Sequence, residues 1–124
     1  MVSLMKSDDL ITPADVEREM VDLTARIDRA PATLKEYHER VRVARQAHKK
    51  AYALAYAAAA GTQMDRKMQA DLDTEETLRA LDDAEVSYKF VTDTFDSLSK
   101  KLRALQSVSS LMKASMFGST TGGI

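Results

Sequence analysis

The sequence predicts an all-α fold: a long antiparallel helical hairpin, coiled-coil-like, with a shorter N-terminal helix. Three observations carry that prediction. Over 73–117, apolar or small residues recur at alternating steps of three and four: Leu81, Ala84, Tyr88, Val91, Phe95, Leu98, Leu102, Leu105, Ser109, Met112 and Met116. That spacing is one stripe on a helix. A second stripe with the same step runs through 34–58, and strand-like alternation occurs nowhere.

A helix over 73–117 would be roughly 65 Å long at its rise per residue. A compact chain of this length has a radius of gyration of about 14 Å. Such a helix cannot hide its stripe inside a small monomeric globule. It needs other long helices, from this chain or from a second copy, and a strict seven-residue repeat implies a left-handed supercoil.

At 124 residues, one helical domain over 1–117 is expected, with a flexible tail at 118–124. Apolar residues make up 44% and charged residues 30%, which argues against both a disordered chain and a membrane-embedded one. No apolar run approaches a bilayer-spanning length, and no signal-peptide pattern opens the chain. The absence of Cys excludes a disulfide framework and a thiolate zinc site. Together these fit a reducing compartment, the cytoplasm. The net charge of −1 argues for no partner by itself, so any nucleic-acid contact must come from local patterning.

Taken in order, residues 1–10 read as a loose polar lead-in. Thr12, Pro13 and Asp15 then form a helix-start signal, with Ile11 and Val16 placed as a hydrophobic staple. The first helix spans about 13–29 on a stripe of Val16, Met20, Leu23 and Ile27, and Pro31 disfavours helical geometry at Ala30. The second spans about 31–60 on Leu34, Tyr37, Val41, Ala44, His48, Ala51, Ala55 and Ala58. Its alanine-rich end favours helix and close approach. Gly61 suits the left-handed position after a helix end. Thr62 with Asp65, and Asp73 with Glu76, could each cap a helix. The stretch 62–73 is therefore either a turn with a short helical piece or the start of one continuous third helix, which begins at 63 or 74 and runs to 117. The third helix returns antiparallel to the second, where Tyr88, Phe90 and Phe95 could fill space left by small side chains. Ser109 either admits a close partner helix or marks fraying.

The chemistry-bearing pattern lies on the second helix. Lys35, His38, Arg42, Arg45, Lys49, Tyr52 and Tyr56 step three and four, one position beyond the core stripe. Cations neutralise phosphates, and tyrosine rings stack on unpaired bases. Lys35, Arg42, Arg45, Lys49, Tyr52 and Tyr56 are thus the candidate nucleic-acid contacts. The competing reading is a solvated flank paired with acids, since the hairpin register brings Lys49 and Lys50 near Asp82 and Asp83. The acidic run Asp71, Asp73, Glu75 and Glu76 fits a helix N-terminus. A calcium loop would need Gly where Glu76 stands. His48 lies on the core stripe, and His38 is too far along the helix to share a metal with it. No phosphate loop, nucleophile elbow or zinc motif occurs, so no catalytic residue, metal, cofactor or small-molecule substrate is expected.

Several of these segments carry a resemblance. They are the Lys-Lys-Ala-Tyr-Ala-Leu-Ala-Tyr run at 49–56, 61–70 with Arg66 and Lys67, the Asp83-Ala84-Glu85 step to Tyr88, and Leu105-Gln106-Ser107 through Ser110. With them the chain resembles small α-helical proteins encoded in replication and recombination modules of actinobacterial tailed phages. The resemblance covers most of 33–116. It implies a non-enzymatic accessory of DNA transactions and assigns no site residues.

The expected function is an accessory of phage DNA replication or recombination that binds single-stranded DNA or a recombination protein. Self-association is also expected, as a dimer or higher oligomer, because the hairpin leaves Val43, Leu54, Val86, Val108 and Leu111 at its edges. The alternatives are a self-associating virion scaffold, chaperone or connector, and a regulator that binds a host protein. A secreted type VII hairpin substrate ranks last, because the chain has no Trp for that class's turn.

Overall fold

Runs of helix-favouring residues, broken at three places, set the order of elements. The computed structural model describes residues 11–122, with side chains through 116. The lead-in at 1–10 and the last two residues of the expected tail lie outside the described residues. Among the described residues the chain is all-α: α1 (Pro13–Asp28), α2 (Ala30–Ala58), α3 (Gln63–Asp73) and α4 (Glu75–Gly122). None of these helices is long and apolar enough to cross a membrane.

The helix starts follow from local chemistry. Thr12 and Asp15 close a capping box: the Asp15 N–H donates to the Thr12 hydroxyl, and the Thr12 N–H donates to the Asp15 carboxylate, both at 3.1 Å. Two orphan donors are thereby satisfied, with Pro13 at a position where no N–H is needed. The α1–α2 break is a single residue, Arg29. Ala30 is helical despite Pro31, contrary to the sequence expectation. Proline in a first turn forfeits no intrahelical hydrogen bond, so the mild bias at the residue before it is overridden.

The stretch after α2 resolves as a separate helix. Ala58 ends α2, and Gly61 takes φ +106, where a Cβ would lie 2.8 Å from the Asp65 carboxylate. Thr62 and Asp65 form the second capping box and open α3. Thr74 separates α3 from α4. Its side chain is buried, and its hydroxyl donates to the Ala70 carbonyl at 2.7 Å. Asp73, expected to cap the long helix, is instead the last residue of α3 and accepts from Gln69 at 2.8 Å. The corner falls at Thr74 because Ala70 and Thr74 are the small side chains that can be buried there. At the other end, α4 continues through Gly118 to Gly122. Extending an existing helix adds one hydrogen bond per residue, and an interior Gly costs only about 1 kcal/mol.

Two compact units make up the chain: Ala30–Thr94, and Met1–Arg29 together with Phe95–Ile124. In the first, α2 lies antiparallel to the 75–94 part of α4. Partners step from His48 with Thr77, through Arg45 with Glu85, to His38 with Tyr88, one number falling as the other rises. The α2 stripe turns inward, with Val41 buried and Leu34, Tyr37, Ala44, His48, Ala51 and Ala55 half-buried. Ala58, at the helix end, is exposed. Leu81, Ala84, Tyr88 and Val91 are half-buried on α4.

In the second unit, Val16 and Leu23 are buried, seven residues apart on α1, and Glu19 pairs with Lys101 at 3.2 Å. Phe95, Leu98, Leu102, Leu105, Ser109 and Met112 are half-buried on the α4 stripe. Ser109 sits in unbroken helix and, with Thr24 and Ala25, lines a cleft of about 490 Å³. Of its two expected readings, fraying is not observed, because the helix runs unbroken through Ser109.

Leu23 is the largest fully buried side chain among the described residues. Leu23→Ala should lower stability by about 2–5 kcal/mol, read from urea unfolding. A loss below about 1 kcal/mol would contradict the described core. The Thr12 N–H, and after it the Thr12 hydroxyl, hold the Asp15 carboxyl below its ordinary pKa. A depressed folded value contributes stability that is complete above the unfolded pKa of about 4 and is lost as pH falls through the lower folded value. Asp15→Asn should therefore flatten the fall of Tm between about pH 5 and pH 2. An unchanged slope would contradict the assignment.

Candidate nucleic-acid interface

The basic-aromatic flank exists as one face of α2, but its members stand in different surroundings. Lys35, Arg42, Arg45 and Lys49 are exposed, and Tyr52 and Tyr56 are half-buried. Arg42 is held by Glu39, three residues earlier, through its Nε at 3.0 Å and through a second contact from its terminal nitrogen. That guanidinium is the main reason the Glu39 carboxyl lies below its usual range, with His38 and Lys35 adding to the effect. The Arg42 pKa rises in turn. Arg45 reaches across to Glu85 of α4 at 3.3 Å.

The sequence register placed Asp82 and Asp83 opposite Lys49 and Lys50. No ion pair joins them among the described residues; Glu85 answers Arg45 instead. Arg45 and Glu85 each stand one position beyond an inward residue and share one edge of the antiparallel pair; Asp82, one beyond Leu81, lies on that edge as well and Asp83 one position further round, yet neither meets a lysine among the described residues. Lys35 and Lys49 form no ion pair among the described residues. The flank therefore divides into two arginines held in ion pairs and two lysines that form none, Lys35 acting on Glu39 only at longer range.

Beyond Lys49 the flank becomes aromatic. His48, Tyr52 and Tyr56 follow at intervals of four, so their rings rise one above another on the helix. The His48 and Tyr52 centroids are 6.3 Å apart and tilted by 58°; Tyr52 and Tyr56 are 6.4 Å apart and stacked at 26°. Arg66 of α3 completes the series, its guanidinium 5.5 Å from the Tyr56 centroid. Its Nε donates to the Ala59 carbonyl at 2.9 Å, satisfying one of the acceptors that a helix end leaves open. His48 is anchored separately. The Thr77 hydroxyl donates to the Thr74 carbonyl at 3.0 Å, which leaves its oxygen to accept from His48 Nδ1, also at 3.0 Å.

The end of α2 and the start of α3 flank an open cleft of about 550 Å³, lined by Tyr52, Tyr56, Thr62, Gln63, Met64 and Lys67. The α3 residues were not among the sequence candidates. The signal for them was the Gly61 turn, which folds the next helix back beside the tyrosines. No group of three or more His, Cys, Asp or Glu able to hold a metal occurs among the described residues. Comparison with protein-family models, curated proteins and solved structures finds no match.

The Arg45–Glu85 pair is about half exposed on both sides, so solvent screens it. A double-mutant cycle with Arg45→Ala and Glu85→Ala should give a coupling of about 0.2–1 kcal/mol. A coupling above about 2 kcal/mol would mean that this pair, not the apolar stripe, fixes the hairpin register.

Proposed function

We propose that the chain is a non-enzymatic accessory of phage DNA replication or recombination, working in the host cytoplasm and binding single-stranded DNA through the α2 flank. The stacked Tyr52–Tyr56 pair next to the unpaired cation Lys49 carries this reading. Stacked tyrosines present π surface that any base can use, and a neighbouring lysine neutralises phosphate without base preference. A duplex hides its base faces, so this surface favours unpaired strands. Lys35 extends the phosphate track along the helix. Arg42 and Arg45 join it to the extent that strand phosphates compete with Glu39 and Glu85. The link to phage replication and recombination rests on the sequence resemblance alone.

A second reading is favoured by a different observation. Val43, Leu54, Val86 and Phe90 are 54%, 63%, 68% and 70% exposed in the Ala30–Thr94 unit. So much apolar surface on one unit suits self-association into a dimer or higher oligomer. A structural or assembly role would need only that surface.

Fluorescence anisotropy across a salt series separates the two. The accessory reading expects tighter binding to an oligothymidine than to a duplex of equal length, weakening with salt by a log–log slope of about −0.7 per phosphate neutralised. Lys35→Ala with Lys49→Ala should make the slope shallower. An absence of binding at low salt, from protein shown by light scattering to be a well-defined oligomer, would leave the assembly reading.

A further inference from the structure

The cleft at the α2–α3 turn has a chemical inventory that the flank alone lacks. One wall is the stacked Tyr52–Tyr56 pair, and Arg66 is fixed over Tyr56 by its bond to the Ala59 carbonyl. Across from it stand Gln63, Met64 and Lys67. An amide side chain both donates and accepts, as the edge of a nucleobase does. A thioether supplies soft apolar contact, and an exposed lysine supplies a charge for phosphate. At about 550 Å³ the cleft lies within the size range of small-molecule sites, roughly 300–1,000 Å³. The start of α3 does not itself draw the anion, because the capping box takes the Thr62 and Asp65 N–H groups and places the Asp65 carboxylate there.

We propose that this cleft holds one unpaired nucleotide of a bound strand: its base lies against Tyr52 and Tyr56, Gln63 meets the base edge, and Lys67 takes its phosphate. Lys49 lies on the same face of α2 as the two tyrosines, one turn before Tyr52, and receives the phosphate track that leaves the cleft. The inference rests on the single-strand reading of the flank and adds α3 to the binding surface. It makes the turn at Gly61 part of the site, since that turn sets the distance between Tyr56 and Lys67.

The test uses the full chain and an oligothymidine carrying a single 2-aminopurine, whose fluorescence falls when the base stacks. Three variants are compared: Lys67→Ala, Tyr56→Leu, and the pair Lys35→Ala with Lys49→Ala. Helix content is checked by circular dichroism. Lys67→Ala should reduce the salt slope by about 0.7, one phosphate contact. Tyr56→Leu keeps apolar bulk but removes the ring, and should weaken binding about fivefold or more and restore 2-aminopurine emission. If Tyr56→Leu misfolds, Lys67→Ala, at an exposed position, decides the matter alone. Unchanged slope and quenching in Lys67→Ala and Tyr56→Leu, with binding weakened by the Lys35/Lys49 pair, would overturn the cleft and leave the flank reading intact. No binding by the unaltered protein would overturn both.

Discussion

The register of α2 against the first part of α4 is the constraint on which the Ala30–Thr94 unit depends. Two helices that each carry an inward residue every three or four positions can be paired in many ways. The corner at Thr74 selects one of them. Burial of Ala70 and Thr74, the Thr74 hydroxyl on the Ala70 carbonyl, and the His48–Thr77–Thr74 chain of hydrogen bonds tie α2, α3 and α4 together at one point. A slip of one residue there would rotate the α4 stripe by about 100° relative to α2. It would turn Leu81 and Ala84 out of the interface and carry Glu85 away from Arg45.

That register also decides the character of the flanks. One edge of the pair holds His38, Arg45, Tyr52 and Glu85, so it is polar, partly compensated and aromatic at its end. Val43, Leu54 and Phe90 stand off that edge with Ala47, Ala80 and Ser87 among them, all exposed. Alanine and serine leave room beside the larger apolar side chains, an arrangement that receives another helix more readily than a nucleic acid. The two surfaces are compatible: association through the apolar side leaves the polar-aromatic edge open. On the proposed single-strand reading, several associated copies would present several such edges, and avidity would strengthen weak individual contacts.

Much of the fold was legible in the sequence because one physical pattern dominates it. Apolar periodicity placed the inward residues of α2 and α4, from Leu34 to Ala55 and from Leu81 to Met112. Local capping chemistry placed the starts of α1 and α3 at Thr12 and Thr62. The break between α3 and α4 was legible as one of two readings but one residue early, because Asp73 offers a better capping side chain than Thr74 and tertiary burial favoured Thr74. The helical state of Ala30 was missed because the bias of the residue before proline is mild and a first-turn proline forfeits no intrahelical hydrogen bond. For the candidate site, spacing put Lys35 through Tyr56 on one face. It did not show that Glu39 and Glu85 engage Arg42 and Arg45, because ion-pair choice depends on rotamers and on cross-helix register. It also missed Gln63, Met64 and Lys67, which reach the tyrosines only through the fold of the Gly61 turn.

The edge of α2 from Lys49 to Tyr56, with the start of α3, is the surface proposed to meet unpaired strands. Amide chemical-shift mapping of the isotope-labelled full chain, titrated with a short oligothymidine, tests that proposal most directly. Shifts concentrated at Lys49, Tyr52, Tyr56, Gln63 and Lys67, with Val43, Leu54 and Phe90 little changed, are expected. Shifts centred on Val43, Leu54 and Phe90, or none at saturating oligonucleotide, would contradict it.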